Sequence, residues 1–324
     1  MAPIAIALPN ETRRWEGRWL SRLAISSAIT VYFLIIFGSQ VRVTDSGMGC
    51  PDWPLCDGRL GPVFQYHALM EQTHRYLAAL VTILVVATAL LAWRRATSAA
   101  VLRPALFTVA VVVVQIALGA VTVFAGNSAP TVAAHLIAGL ALLGGATVTA
   151  VATKVPQSES SRRRLSPIGW VAISLAGVLY VSGSLVVNAE AEKGCASFPL
   201  CPSNQPASFV ALHLVHRGFA TLAGLALLAF ALHAWQDWSN LKGARGLAAT
   251  LGLLVVFTAA LGIFSALLKA PPGLQDFHLA GAAAVLATSV ALAALGWLSG
   301  ADSPGSGHEL PNVADDSKVN ELGI

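Results

Sequence analysis

The chain has 324 residues, of which 56% are hydrophobic and only 11% are charged. This composition is typical of integral membrane proteins and argues against a soluble globular enzyme; we expect no nucleic-acid partner despite the net charge of +4. A helix needs roughly 20 apolar residues to cross a bilayer core of about 30 Å. Eight stretches meet this requirement and predict an all-α integral membrane protein with eight transmembrane helices, at about 20–41, 67–92, 104–125, 130–152, 168–188, 209–235, 246–268 and 274–298.

The loop after the first span contains Cys50 and Cys56, and the loop after the fifth span repeats the pair as Cys195 and Cys201. Because each pair shares one short loop, Cys50 with Cys56 and Cys195 with Cys201 are the natural disulfide pairings. Each bond would stabilise the chain by about 2 kcal/mol in the chain-entropy model. A structural role is the simplest interpretation, and a redox role for the first pair is an alternative. A four-thiolate metal site is disfavoured because the pairs lie in different halves with atypical spacing.

The second span carries Glu71, which lies three residues before His74 and therefore on the same face of the helix. A carboxylate at bilayer depth costs on the order of 2.5–3.5 kcal/mol on insertion scales. This cost favours a functional group that accepts a proton or stabilises developing positive charge. The alternative is an interfacial residue, partly in water and stabilised by the helix N-terminus. The sixth span has His213 instead, so the two halves differ at this position.

Histidines recur at matched depths in the even-numbered spans. His74 in the second span corresponds to His216 in the sixth, and His135 in the fourth corresponds to His278 in the eighth. A histidine inside a membrane helix is costly and is therefore a functional candidate. Two imidazoles that face each other across an apolar four-helix bundle suit the axial positions of a haem iron, so we expect one haem site in each half. The alternatives are hydrogen bonds between helices, or a zinc or copper site that would lack further ligands at matching depth.

An arginine follows the histidine in both halves, as Arg75 and Arg217. Its guanidinium suits a haem propionate, and the alternative is that the side chain extends to the membrane interface. The three remaining histidines are His67, His233 and His308. We expect these to be structural or exposed to solvent.

The repeat divides the chain into two halves with four spans each, residues 1–155 and 156–299, followed by a polar tail at 300–324. We expect two pseudo-symmetric four-helix bundles related by an axis along the membrane normal. Thirteen Lys and Arg residues lie in the N-terminal arm and in the loops after spans 2, 4 and 6, and four lie in the opposite loops. The positive-inside rule therefore predicts a cell-membrane protein with both termini in the cytoplasm and both cysteine loops outside it.

These residues together resemble the haem A synthase family. The resemblance rests on the duplicated eight-helix layout, on Glu-x-x-His-Arg at 71–75, on His-x-x-His-Arg at 213–217, and on the histidines at 135 and 278. The segment that leaves the first span, Gly38-Ser39-Gln40-Val41-Arg42-Val43-Thr44, is similar as well. The paired-cysteine loops resemble those of bacterial members, and the match covers roughly residues 20–300.

The resemblance implies an oxidoreductase that converts the C8 methyl group of haem O to a formyl group, with water as the oxygen source, and so makes haem A for terminal oxidases. It implies a haem b cofactor in the second half and the substrate porphyrin in the first. Haem O synthase, terminal oxidase assembly factors, membrane lipid and an unidentified electron acceptor are the implied partners.

The resemblance also implies a role for each matching residue. Glu71 would be the catalytic carboxylate, and the disulfide of Cys50 and Cys56 would serve haem handling. The implied iron ligands are His74 and His135 for haem O, and His216 and His278 for haem b.

Two other functions are compatible with parts of the pattern. A diheme b-type electron carrier would use all four histidines, but it leaves the difference between Glu71 and His213 unexplained. A transporter built from parallel repeats would contain no haem and would carry broken helices at matched midplane positions, which the sequence does not indicate.

Overall fold

The computed structural model describes residues 10–95, 97–155, 164–188, 195, 197–201 and 206–301, with the backbone alone for residues 10–16 and 188. The expectations for His308 and for the tail beyond residue 301 lie outside these residues. The described helices are α1 (Asn10–Val43), α2 (Tyr66–Arg94), α3 (Ala99–Phe124), α4 (Ala129–Ala152), α5 (Pro167–Asn188), α6 (Ala207–Asp237), α7 (Ala244–Leu267) and α8 (Pro272–Ser299).

All eight helices are long and apolar enough to cross a membrane. The part of the chain that the structure describes contains no β-strand. A multi-pass, all-α membrane fold follows, because a helix satisfies its backbone hydrogen bonds within itself and can therefore stand in lipid. The predicted eight-helix fold is confirmed.

Helix α1 differs most from its predicted bounds, since it begins at Asn10 rather than near residue 20. Only Gly17–Val43 of this helix is apolar enough to span a membrane. The hydropathy pattern identifies the part of a helix that suits lipid, whereas the internal hydrogen bonds allow the same helix to continue into a polar environment. The other seven helices begin and end within a few residues of the predicted bounds, apart from the start of α3 at Ala99.

The helix contacts follow the same pattern in both halves. In the first half, α1 packs against α2 and α4, and α3 packs against α2 and α4. In the second half, α6 packs against α5 and α7, and α8 packs against α7 and, less extensively, α5. Between the halves α4 meets α8, α1 meets α8, and α4 meets α5. This arrangement is compatible with two pseudo-symmetric bundles.

Polar contacts join α1 to α8 near the start of α8. The Ser39 hydroxyl donates to Oδ1 of Asp276 at 2.5 Å, and the Gln40 amide donates to the second carboxylate oxygen. Asp276 is only 6% exposed, so its carboxylate is compensated by donors from the other half. This contact brings the outgoing end of α1 close to the segment that carries His278.

Candidate functional site

The first half brings His74 and His135 together. His74 lies in the third turn of α2 and His135 in the second turn of α4. Their imidazoles are close enough to interact electrostatically. The Nδ1 atom of each ring is buried and has no hydrogen-bond partner among the described residues. Burying two ring nitrogens without hydrogen bonds costs free energy in an apolar bundle. This arrangement suits a site that is completed by a ligand.

The second half brings His216 and His278 together in the same way, again within electrostatic interaction distance. Here both rings have polar neighbours: Nδ1 of His216 lies 3.2 Å from the Ser182 hydroxyl, and Nδ1 of His278 lies 3.0 Å from the Thr258 carbonyl oxygen. An Nδ1–H that donates to a carbonyl leaves the lone pair on Nε2. This is the arrangement found behind most metal-ligating histidines, because it fixes both the tautomer and the ring orientation.

The donor sets fit a haem iron better than an isolated metal ion. Each half supplies two facing imidazoles, which is the number of axial positions that a haem iron offers. Within the described residues, no group of three or more His, Cys, Asp or Glu side chains is placed to hold a metal ion alone. The residues present are therefore suited to a group that brings its own equatorial ligands.

Each of the four imidazoles lies against a glycine of a neighbouring helix, where the absence of a side chain allows a close approach. A Cβ atom on that glycine would lie very close to the imidazole Cε1 atom in three of the four cases. The distances are 3.1 Å for Gly38 and His74, 3.6 Å for Gly119 and His135, 3.1 Å for Gly183 and His216, and 2.8 Å for Gly262 and His278. The glycines thus recur in matched helices of the two halves.

Glu71 is buried beside the first pair, with an exposed fraction of 5%. One carboxylate oxygen accepts the backbone N–H of Cys50 at 2.8 Å, and the other accepts the Arg75 guanidinium at 2.5 Å. The carboxylate is shielded because the loop between α1 and α2 folds over this part of α2. It is held by a charged and a backbone donor. Whether Glu71 lies at the interface or deeper in the membrane stays a prediction.

Arg75 and Arg217 bind the carbonyl groups of the two cysteine loops. The Arg75 guanidinium donates to the backbone carbonyl oxygen of Asp52 at 2.8 Å and also to the backbone carbonyls of Leu55 and Cys50. Arg217 donates to Pro199 at 2.8 Å and to Cys195 at 3.2 Å. The two expected roles, pairing with a propionate and extension to the interface, stay predictions, and the loop contacts come in addition to them. Each arginine attaches its cysteine loop to the helix that carries the histidine.

The cysteines are paired as Cys50–Cys56 and Cys195–Cys201, with Cα–Cα distances of 4.7 and 4.9 Å. In the first loop, the Asp52 carboxylate accepts the backbone N–H groups of Gly58 and Asp57. These hydrogen bonds, the one from Gly58 above all, hold the pKa of Asp52 below its usual value. The loop is thus a compact unit in which the disulfide, Asp52 and Arg75 fix the Cys50 N–H that reaches Glu71.

Residues 21–67 and 61–290 match the family described as cytochrome oxidase assembly protein, of the COX15-CtaA type. This range includes both cysteine loops, Glu71 and all four paired histidines. The chain belongs to this family.

Three relatives illustrate the similarity, and all three carry the name Heme A synthase. The protein of Bacillus licheniformis is 30% identical over an alignment of 239 positions that covers 69% of this chain and 78% of the relative. The protein of Shouchella clausii is 31% identical over 260 residues, covering 75% and 85%. The protein of Shewanella oneidensis is 27% identical over 322 residues, covering 85% and 94%.

Of the three other histidines within the described residues, His67 and His233 lie apart from the paired ones, and His213 does not. His67 is exposed and shares a 2.9 Å hydrogen bond with Ser46. His233 pairs with Asp237 at 2.6 Å. Both agree with the structural or exposed roles expected for them. His213 is the exception, because it is 7% exposed and interacts electrostatically with His216.

Sequence reasoning missed four features of the site. The glycines opposite the imidazoles, the loop contacts of Arg75, and the link from Cys50 to Glu71 all depend on how helices and loops pack. Gln72 is a further example, since its amide binds the backbone of Gly61 and Val63 in the same loop. The repeat held a signal for the glycines, because Gly38 and Gly183 are separated by the same 145 residues as the cysteines.

Proposed function

We propose that this chain is a haem A synthase, a membrane oxidoreductase that acts on haem O. The observation that carries the proposal is the pairing of four repeat-matched histidines, with the buried carboxylate of Glu71 beside only one of the pairs. Two similar pairs suit two haem groups, and a single carboxylate suits a reaction at one of them. The relatives named Heme A synthase support the same function.

The first half, residues 1–155, holds haem O in this proposal, with His74 and His135 as iron ligands. The second half, residues 156–299, holds haem b through His216 and His278. The hydrogen bonds of the rings support this allocation: the second pair is oriented by Ser182 and Thr258, which suits a resident cofactor. The rings of the first pair have no Nδ1 partner, which suits a porphyrin that must enter and leave.

The proposed reaction converts the C8 methyl group of haem O to a formyl group. The methyl carbon first loses two electrons and a proton, and water adds to the resulting cation to give an alcohol. A second two-electron oxidation with another water gives a hydrate, which loses water to form the aldehyde. One water is consumed in total, and four electrons and four protons are released to an acceptor and to solvent. Haem b supplies one-electron redox chemistry when it is bound.

Glu71 acts in this proposal as the group that stabilises the positive charge and takes a proton from the attacking water. Its contacts support a carboxylate that is charged and fixed in place, because Arg75 and the Cys50 N–H both donate to it. An ionised carboxylate has several lone pairs, so these two donors leave room for a water molecule. Burial keeps competing solvent away from the cation.

The expected setting follows from the same proposal. Both termini lie in the cytoplasm and the cysteine loops lie outside the cell membrane, as the distribution of Lys and Arg favours. Haem O synthase supplies the substrate, terminal oxidase assembly factors take the product, and an electron acceptor outside the chain receives the electrons. The polar tail from residue 300 onward is cytoplasmic.

Porphyrin extraction from the purified protein tests the function. We expect haem O or haem A beside haem b, whereas haem b alone would favour an electron carrier, and no porphyrin at all would favour a transporter.

Glu71→Gln tests the reaction site, because the amide keeps the shape of the side chain and removes the charge. We expect this variant to keep its porphyrins and to lose haem A formation by about 100-fold or more, the range for removal of a positioned acid–base group. Asp237→Asn, a carboxylate-to-amide change at an exposed position, is the control and should have normal output. Undiminished haem A from Glu71→Gln would refute the role.

A further inference from the structure

Gln115 of α3 has a polar atom that the reaction described above does not use. Its side-chain oxygen Oε1 is buried and has no hydrogen-bond partner within the part of the chain that the structure describes. Its Nε2 atom lies over Gly139 of α4, 3.0 Å from the position that a Cβ atom would take on that glycine, with Ile35 of α1 on the same side. The amide is therefore inside the first-half bundle, between α3, α4 and α1.

The position of Gln115 is one helical turn away from the ligand histidines. It lies four residues before Gly119, the residue that His135 contacts, and Gly139 lies four residues after His135. One turn corresponds to about 5.4 Å along a helix. Glu71 lies on the other side of the histidines along the bundle axis. It precedes His74 by three residues in α2, which starts at the same end of the bundle as α4. Gln115 and Glu71 thus flank the two histidines from opposite sides.

The second half differs at the matched position. Gln115 corresponds to Thr258, 143 residues later, the same offset that relates His135 to His278. The backbone carbonyl of Thr258 accepts a hydrogen bond from Nδ1–H of His278. The Thr258 side chain is a shorter hydroxyl that lies over Gly281 and, like the Gln115 oxygen, is buried without a hydrogen-bond partner among the described residues. Only the first half carries a long amide here. An unpaired amide oxygen is unfavourable in an apolar bundle, so a donor that arrives with a ligand would relieve it.

The chemistry of the substrate identifies that donor. Haem O differs from haem b in carrying a hydroxyl-bearing farnesyl chain in place of one vinyl group. The methyl and vinyl substituents are apolar and the propionates are acceptors, so the hydroxyl is the neutral donor at the porphyrin edge. We propose that Gln115 is a specificity-determining residue that accepts a hydrogen bond from this hydroxyl and thereby selects haem O over haem b in the first half. This inference rests on the proposed function.

Porphyrin titrations of the full-length protein test the inference. The protein is purified from a host that makes no haem O, so that haem b occupies the second half, and it is then titrated with haem O or with haem b while absorbance is recorded. We expect the wild type to prefer haem O by at least about tenfold, because a site built to bind a hydroxyl rejects the analogue without it. Gln115→Met, which keeps the length of the chain but removes the amide, should bring the preference to within about twofold.

Two further variants make the outcome specific. Gly139→Ala leaves the amide in place but puts a methyl group 3.0 Å from its nitrogen, so it should displace the amide and lower the preference as well. Thr108→Val removes a buried hydroxyl that lies two turns along α3 from Gln115 and donates to the Pro104 carbonyl of its own helix, and it should retain the wild-type preference. The absorbance of the second-half haem b reports correct folding in every variant.

Equal affinity of the wild type for the two porphyrins would overturn the inference, and so would an unchanged preference in a folded Gln115→Met variant. Failure of the wild type to take up either porphyrin in the first half would instead contradict the proposed function. The two failures are therefore distinguishable.

Discussion

The side chains that define the two sites are held by specific neighbours at the scale of single residues. Gly262 and Gly183 let the imidazoles of the second half pack directly against a neighbouring helix, and the Thr258 carbonyl and Ser182 hydroxyl orient them. A ligand histidine needs a fixed ring plane as well as a suitable position. The space opposite each ring is therefore as much a part of the site as the ring itself.

Gly262→Ala should disturb haem b binding, because its added methyl group would lie 2.8 Å from Cε1 of His278. Overpacking of this kind costs about 1–3 kcal/mol, so we expect haem b affinity to fall by roughly 5- to 150-fold, measured from the haem content of the purified protein. Gly119→Ala is the matched control, since a methyl group there would be in ordinary contact with His135 at 3.6 Å. Equal haem b content in the two variants would refute a role for the close approach of Gly262 and His278.

The identities of the candidate ligands could be predicted from the sequence, but their surroundings could not. The repeat singles out His74, His135, His216 and His278 because apolar helices make histidine conspicuous. The contacts of Arg75 and Glu71 depend on the fold of the intervening loop, whose sequence contains no periodic pattern. A charged residue near a helix start is compatible with water, lipid headgroups or a loop, and only packing decides among them.

At the scale of structural elements, the loop between α1 and α2 is attached to α2 at several points. Arg75 and Gln72 bind its carbonyl groups, and Cys50 donates to Glu71. In the described part of the loop between α5 and α6, Arg217 donates to the carbonyl groups of Pro199 and Cys195. The residue that corresponds to Glu71 is His213. Each cysteine loop therefore contains its own disulfide, and the first loop also binds the carboxylate of Glu71.

Cys56→Ser and Cys201→Ser should separate the stabilising role of the disulfides from their effect on the site. The two disulfides close loops of the same length, with a sequence separation of 6. Loss of either disulfide should therefore lower the free energy of unfolding by about 2 kcal/mol, as measured by thermal unfolding in detergent. Only Cys56→Ser should also reduce haem A formation, because the first cysteine loop donates to Glu71 through the Cys50 N–H. If both variants changed haem A formation equally, the two disulfides would have a stabilising role only.

The helices themselves were the most predictable elements, since each required only a sustained apolar stretch. The extension of α1 to Asn10 was not predictable in this way. Its first residues are polar, and a polar segment can continue a helix or leave it without a change in hydropathy.

At the scale of the whole molecule, α8 lies between the halves and contacts α4 and α1 of the first half. Ser39 and Gln40 of α1 bind Asp276 of α8, and Tyr32 and Tyr180 donate to the α8 carbonyls of Ala280 and Ala282. The helix that carries His278 is thus joined to α1 and α5. The repeat predicted the number of helices in each half, but not which helices would meet between the halves.

The orientation in the membrane can be tested with single cysteine substitutions, because the described residues contain no free cysteine. Phe64→Cys places a thiol in the loop between α1 and α2, where Phe64 is 86% exposed, and Lys242→Cys places one in the exposed loop between α6 and α7. We expect a membrane-impermeant maleimide to label Phe64→Cys in intact cells, and Lys242→Cys only after permeabilisation. The reverse pattern would contradict cytoplasmic termini.

The porphyrin content of ligand variants tests the central claim most directly, namely that the first half holds the substrate and the second half holds the cofactor. His74→Ala and His135→Ala should retain haem b and lose haem O and haem A, whereas His216→Ala and His278→Ala should lose haem b. The porphyrins are extracted from each purified variant and identified by their absorbance spectra. Loss of haem b from the first-half variants, with retention in the second-half variants, would contradict this allocation.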